Sequence, residues 1–172
     1  QHHPFAVKAF FNTSLVLAYA VPTEAFRPTL PPCLELDTFQ DTWAFVAAAF
    51  VQTRNLRPKG FPEFLGSDFL LVGFRIFVRY TYSRGRRLMG LFIMKSETDN
   101  RKMSLWGNIF TRYHYGTTDI QYRRSSRQIA VFSEKSAIDV ECRLDLDPVP
   151  LPEGSPFTGW KEARRYAGPL PS

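Results

Sequence analysis

A chain of 172 residues, 44% hydrophobic and 22% charged, is long enough for one domain with its own core and short for two. It contains no run of 18 apolar residues, which excludes a membrane-spanning helix, and its 13 Pro and 10 Gly argue for strands and turns over a helix bundle. The net charge of +6, with a pI of about 9.5, comes mostly from arginine, and a 15% aromatic share calls for large flat side chains in a core or cavity wall.

Ser14–Ala20 alternates and is rich in Leu, Val and Tyr, which predicts a first strand. Leu15–Val21 follows Lys8 and resembles a signal segment superficially, but Asn12-Thr13-Ser14 interrupts the apolar run, so a core strand is preferred. Those three residues match the glycosylation sequon without a secretory context to give it meaning. Thr23–Thr29 reads as a short helical turn, stopped by Pro28 and by Pro31-Pro32. Over Thr42–Asn55 strand and helix compete: Trp43, Phe45 and Val46 favour strand, and the alanines at 47–49 suggest close approach of another element. Pro58 to Pro62 is a loop.

The clearest hairpin pairs Phe69–Tyr82 with Leu88–Thr98 through Ser83-Arg84-Gly85-Arg86. Leu70, Val72, Phe74, Ile76, Val78 and Tyr80 form one face, expected to be core; the other carries Phe69, Leu71, Gly73, Arg75, Phe77 and Arg79. The second arm opens with a buried-strand signature, Leu91 to Met94, ends on Lys95 and passes into an acidic turn, Ser96-Glu97-Thr98-Asp99. Asp99 can cap a helix from Asn100 to about Thr111, with Met103, Trp106 and Phe110 on one face. Further strands are expected at Tyr113–Arg123, Arg127–Ser133 and Ala137–Leu144, before a Pro-rich tail with a short patch at Trp160–Tyr166. Many strands with few short helices predict a mainly β (α+β) protein, a β-sandwich or partial barrel, in a single domain over 1–172.

Lys95 carries the sharpest chemistry. An amine delivered by an apolar strand is costly to bury as a cation, so it could become a nucleophile, or it could simply reach water from a strand end. Arg75, on an otherwise apolar strand, could anchor a ligand's anionic group or an internal carboxylate such as Glu97 or Asp99. His114, in Tyr113-His114-Tyr115, is the one histidine outside the terminus and the second candidate catalytic group. Arg75, Glu97, Trp106, Arg112 and Tyr113 are the candidate ligand-binding residues. There is no metal-binding motif, phosphate loop, nucleophile elbow or dinucleotide fingerprint, and no cofactor is expected. Cys33 and Cys142 give neither a disulfide framework nor a zinc site, which fits a reducing, cytoplasmic setting. Arginines at 84, 86 and 87, at 123, 124 and 127, and at 164 and 165 could meet phosphate backbones, but read more simply as turns and strand ends facing water.

The segments SLVLAYAVPTEAFRPTLPPCLELDTF, GFRIFVRY, GLFIMKSETD, LWGNIF and KEARRYAGPLP, in that order, resemble acetoacetate decarboxylase-like proteins across nearly the whole chain. The similarity points to an uncharacterised bacterial branch, a domain-of-unknown-function family related to the decarboxylase. The resemblance implies a two-layer, incomplete antiparallel β-barrel around a cone-shaped pocket, and further strands after Ser172. It also implies an adjacent lysine pair just after a WGFP-like segment; here Trp106-Gly107 is followed by Asn108, Ile109, Phe110, Thr111, Arg112 and Tyr113, with no lysine in the paired slot. The family's substrate arginine falls at Ala20 and its pocket glutamate at Leu71.

A decarboxylase using that pair is therefore not expected. The reading is a pocket protein for a small, partly apolar anion resembling a keto or enol acid. The alternatives are an imine-forming enzyme using Lys95 and, well behind, nucleic-acid binding by the arginine clusters. A homo-oligomer is left open.

Overall fold

The computed structural model describes residues 6–26, 30–82, 85–110, 114–144 and 149–167. They form β1 (Val7–Pro22), β2 (Glu35–Leu36), β3 (Trp43–Pro58), β4 (Ser67–Thr81), β5 (Arg87–Thr98), α1 (Arg101–Phe110), β6 (Tyr115–Thr117), β7 (Gln121–Arg124), β8 (Gln128–Ser133), β9 (Ile138–Arg143) and α2 (Trp160–Ala167). A six-stranded sheet runs β1-β3-β4-β5-β6, with β2 beside β4, and β7-β8-β9 make a separate three-stranded sheet. The mainly β reading holds, and the longer sheet is open.

The competition over Thr42–Asn55 resolves as strand. Ala44, Phe45, Ala47, Ala48, Ala49 and Phe50 are all buried, so both faces of β3 are covered, as a near-continuous apolar run requires. Of the helical turn expected over Thr23–Thr29, Thr23–Ala25 forms a 3-10 turn, and residues 27–29 lie outside the described residues. In the hairpin, Leu70, Val72, Ile76 and Val78 are buried as expected, Phe74 is half-buried, and Tyr80 is exposed, edge-on to Tyr82 at 6.4 Å. Gly85 closes the turn at φ 72°, a left-handed conformation that costs a side chain energy but not glycine, and its N–H donates to the Tyr82 carbonyl at 2.8 Å.

β5 inverts the expected burial. Leu91, Phe92 and Ile93 are half-buried and Met94 is exposed, whereas Ser96, Glu97 and Thr98 are fully buried strand residues, not a turn. The cause is β6, which pairs in parallel alongside them: Ser96 with Tyr115, Glu97 with Gly116, Thr98 with Thr117. A parallel pair needs a crossover connection, which α1 supplies here, whereas β2 runs antiparallel to β4. The helix cap also moves by one residue. Asn100 Oδ1 accepts the N–H groups of Lys102 and Met103 at 2.9 and 3.1 Å, while Asp99 accepts the Leu70 N–H at 2.8 Å.

α1 is fastened to β6 through Tyr115. Asn108 brackets its backbone, accepting from the N–H at 2.6 Å and donating to the carbonyl at 3.0 Å, and the Ser104 hydroxyl donates to the same carbonyl at 2.7 Å. Gly107 faces the Tyr115 ring so closely that a Cβ would lie 2.6 Å from Cδ2, which explains a glycine inside a helix. The single strand expected at Tyr113–Arg123 is split at Thr118–Ile120: β6 joins the longer sheet and β7 the shorter one.

The chain divides into two compact units. The first, residues 1–15, 49–73 and 95–147, buries Phe50, Phe69, Leu70, Val72, Ile129 and Val131. Within it Arg57, 6% exposed, ties down the 58–62 loop by donating to the Phe61 carbonyl at 3.0 Å and to Glu63 at 3.1 Å. The second, residues 16–48, 74–94 and 148–172, centres on an aromatic cluster in which Phe45 stacks on Phe157 at 5.6 Å and meets Phe77 and Tyr166 at 6.2 and 5.2 Å.

Candidate functional site

Alternation along β5 places Lys95 and Glu97 on one face, two residues apart. Lys95 Nζ lies 2.8 Å from Glu97 Oε1; the lysine side chain is 54% exposed and the glutamate side chain 7%. Opposite Glu97, Gly116 leaves room: a Cβ there would approach Glu97 Cγ only to 3.6 Å. The second carboxylate oxygen, Oε2, is buried with no hydrogen-bond partner among the described residues. Lys95 thus neutralises a buried carboxylate from the water side, without the burial a reactive amine needs.

Arg75, at the middle of β4, is half-buried among Phe74, Ile76 and Phe77 in sequence. Its Nε is cut off from water and has no acceptor, and the guanidinium has no ion-pair partner among the described residues. The two carboxylates weighed as its structural partners are engaged elsewhere, Glu97 by Lys95 and Asp99 by the Leu70 N–H.

His114 is exposed, not part of a strand, and sits at φ 50° immediately before β6, where histidine is among the side chains that tolerate the left-handed region. Trp106 lies in α1, and Arg112 and Tyr113 fall outside the described residues. Of the seven candidates, the structure therefore brings together one pair, Lys95 and Glu97.

One polar constellation was not anticipated. Arg79 donates to Asp37 Oδ1 at 2.6 Å, Asp37 is 3% exposed, and its own N–H donates to the Phe77 carbonyl. Tyr166, from α2, donates its hydroxyl to the Thr38 carbonyl and lies 3.4 Å from Asp37 Oδ1. Burial alone would lower the Arg79 pKa, but the hydrogen bond and charge of Asp37 outweigh it and hold it above the ordinary value. Burial, then the Asp37 charge, pushes the Tyr166 phenol up. This triad pins α2 and β2 to β4. Two strand arginines four residues apart on one face were the available signal; nothing in the sequence said that Arg79 would find a carboxylate 42 residues earlier and Arg75 would not.

A search of curated proteins gives no match. Among solved structures, the crystal structure of acetoacetate decarboxylase from Legionella pneumophila matches with a TM-score of 0.57 and 17% identity, covering 84% of this chain. The chain spans about half, 51%, of that protein. At this identity the likeness establishes the fold, an acetoacetate decarboxylase-like one. A family model described as "Uncharacterized conserved protein", DUF2071, matches residues 9–166, and the chain belongs to that family.

Proposed function

We propose that the protein binds a small, partly apolar anion through Arg75 and does not decarboxylate acetoacetate. The observation that carries this reading is the buried, unpartnered Nε of Arg75 on a strand whose neighbours are aromatic and aliphatic. A buried donor without an acceptor costs about 1–3 kcal/mol, and a ligand carboxylate removes that cost with a charge-assisted hydrogen bond. Keto acids are the first class to try, because the Legionella protein of the same fold is named for one. No residue from Asn108 to Tyr113, the stretch in which the resemblance places the paired lysines, is a lysine, and Asn108 clasps the Tyr115 backbone instead.

The test is thermal stabilisation by acetoacetate, pyruvate and levulinate. A ligand at a hundred times its Kd adds roughly 2.7 kcal/mol, or roughly 5–10 °C in Tm for a chain of this size. Arg75→Met is expected to abolish the shift while keeping the fold. A shift of equal size in that variant removes Arg75 from the site, and no shift with any of the acids removes the ligand class.

A further inference from the structure

The first unit holds a second feature that the Arg75 reading does not use. A cavity of about 230 Å3 opens between the middle of β3, the first residues of β4, Asp99, and Ile120 and Tyr122 at the approach to β7. It is smaller than the roughly 300–1,000 Å3 of drug-sized pockets, so it has room only for a small molecule. Phe69, Leu70 and Ile120, each 5% exposed or less, supply apolar wall.

Its polar groups are built but unspent. Thr53 is 2% exposed, lines the cavity, and its hydroxyl has no partner among the described residues; the Tyr122 hydroxyl is likewise buried and unpartnered. Native interiors rarely leave two such hydroxyls unsatisfied without water or ligand between them. Asp68 and Asp99 add exposed carboxylates. Each uses Oδ1 to accept a backbone N–H at 2.8 Å, from Asn55 and from Leu70, which fixes its orientation. The other oxygen of each accepts no hydrogen bond among the described residues. Arg54 is the one cation among the lining residues, against two carboxylates.

We infer that this cavity binds a small compound carrying both an ammonium group and a hydroxyl. The ammonium sits against the free oxygens of Asp68 and Asp99, and the hydroxyl completes Thr53 and Tyr122, each of which can donate or accept. The apolar wall takes the carbon chain between them.

The probe is ethanolamine, titrated into the full chain and followed by the amide NMR signals of Asn55 and Leu70, whose N–H groups touch the two carboxylates. Both signals are expected to shift and saturate in roughly the millimolar range or tighter. Thr53→Val and Tyr122→Phe are each expected to weaken binding about tenfold with Tm unchanged or raised, since each removes an unpartnered buried hydroxyl. Ethylamine and ethylene glycol, each lacking one of the two groups, are expected to bind more weakly. Arg75→Met is expected to bind ethanolamine as the unmodified protein does, so this site and the anion site fail independently. No saturable shift means that the hydroxyls are completed by water only and overturns the inference. Equal affinity in Thr53→Val and Tyr122→Phe, or equal binding of ethylamine, overturns it as well.

Discussion

Asp119 accepts a hydrogen bond from the Ser133 hydroxyl at 2.6 Å, with weaker ones from the Thr118 hydroxyl and the Lys135 N–H, both at 3.3 Å. The Ser133 bond dominates and holds its carboxyl below the ordinary aspartate value. A carboxyl whose folded pKa is depressed stabilises the fold fully above its unfolded value, near 4, and loses that contribution as pH falls through the folded one. Thermal melts from pH 6 down to pH 2.5 should therefore show Tm falling below about pH 4, with a shallower acid limb in Asp119→Asn; identical limbs would place the acid sensitivity elsewhere. Glu162, held low by the N–H and hydroxyl of Thr158, adds to the same limb. Neither carboxylate was legible in the sequence, because the partners, the Ser133 hydroxyl at the end of β8 and the Thr158 N–H and hydroxyl ahead of α2, carry no charge pattern to mark them. Lys95 and Glu97 share a face because β5 runs on through Thr98; reading residues 96–99 as a turn hid the pair, and which of the two is buried depends on β6.

Among the elements, α1 shows how a tertiary contact decides between equal local choices. Asp99 and Asn100 are both good capping residues, and propensity does not separate them. The Leu70 N–H, 29 residues earlier, claims the Asp99 carboxylate, which leaves Asn100 to satisfy the first-turn N–H groups. Asn100 also donates to the Asp68 carbonyl at 3.2 Å, so Asn100→Ala removes a cap and a cross-link together. We expect about 1–2 kcal/mol of lost stability by denaturant titration, larger than for Asp99→Asn, which keeps an oxygen for Leu70; the reverse order would return the cap to Asp99. The strand-rich class, the β4–β5 hairpin and the three segments around 121–143 were readable because alternation is a local signal. The break at Thr118–Ile120 was not, since Tyr, Thr and Ile, all strand formers, continue across it with no proline to mark an interruption. Its split follows from which sheet edge each half meets.

For the molecule as a whole, the question is whether an acetoacetate decarboxylase-like fold brings the decarboxylase's chemistry with it, and fold alone does not. An imine mechanism needs an amine that is unprotonated near neutral pH, obtained by burial or by a neighbouring cation. Lys95 has neither: half its side chain is in water and its partner is a carboxylate. After Trp106-Gly107 the chain places Asn108, whose side chain is spent on the Tyr115 backbone, and no lysine follows before Tyr115. Acetoacetate incubated with the protein should therefore release no carbon dioxide above the buffer rate, and borohydride should leave the protein mass unchanged. A reduced adduct would revive the imine reading, and peptide mapping would then decide it. An adduct on Lys95 that disappears in Lys95→Ala would make that amine the nucleophile despite its exposure. Labelling spread over Lys8, Lys59, Lys95, Lys102, Lys135 and Lys161 would mark ordinary surface amines and leave the imine reading without a nucleophile.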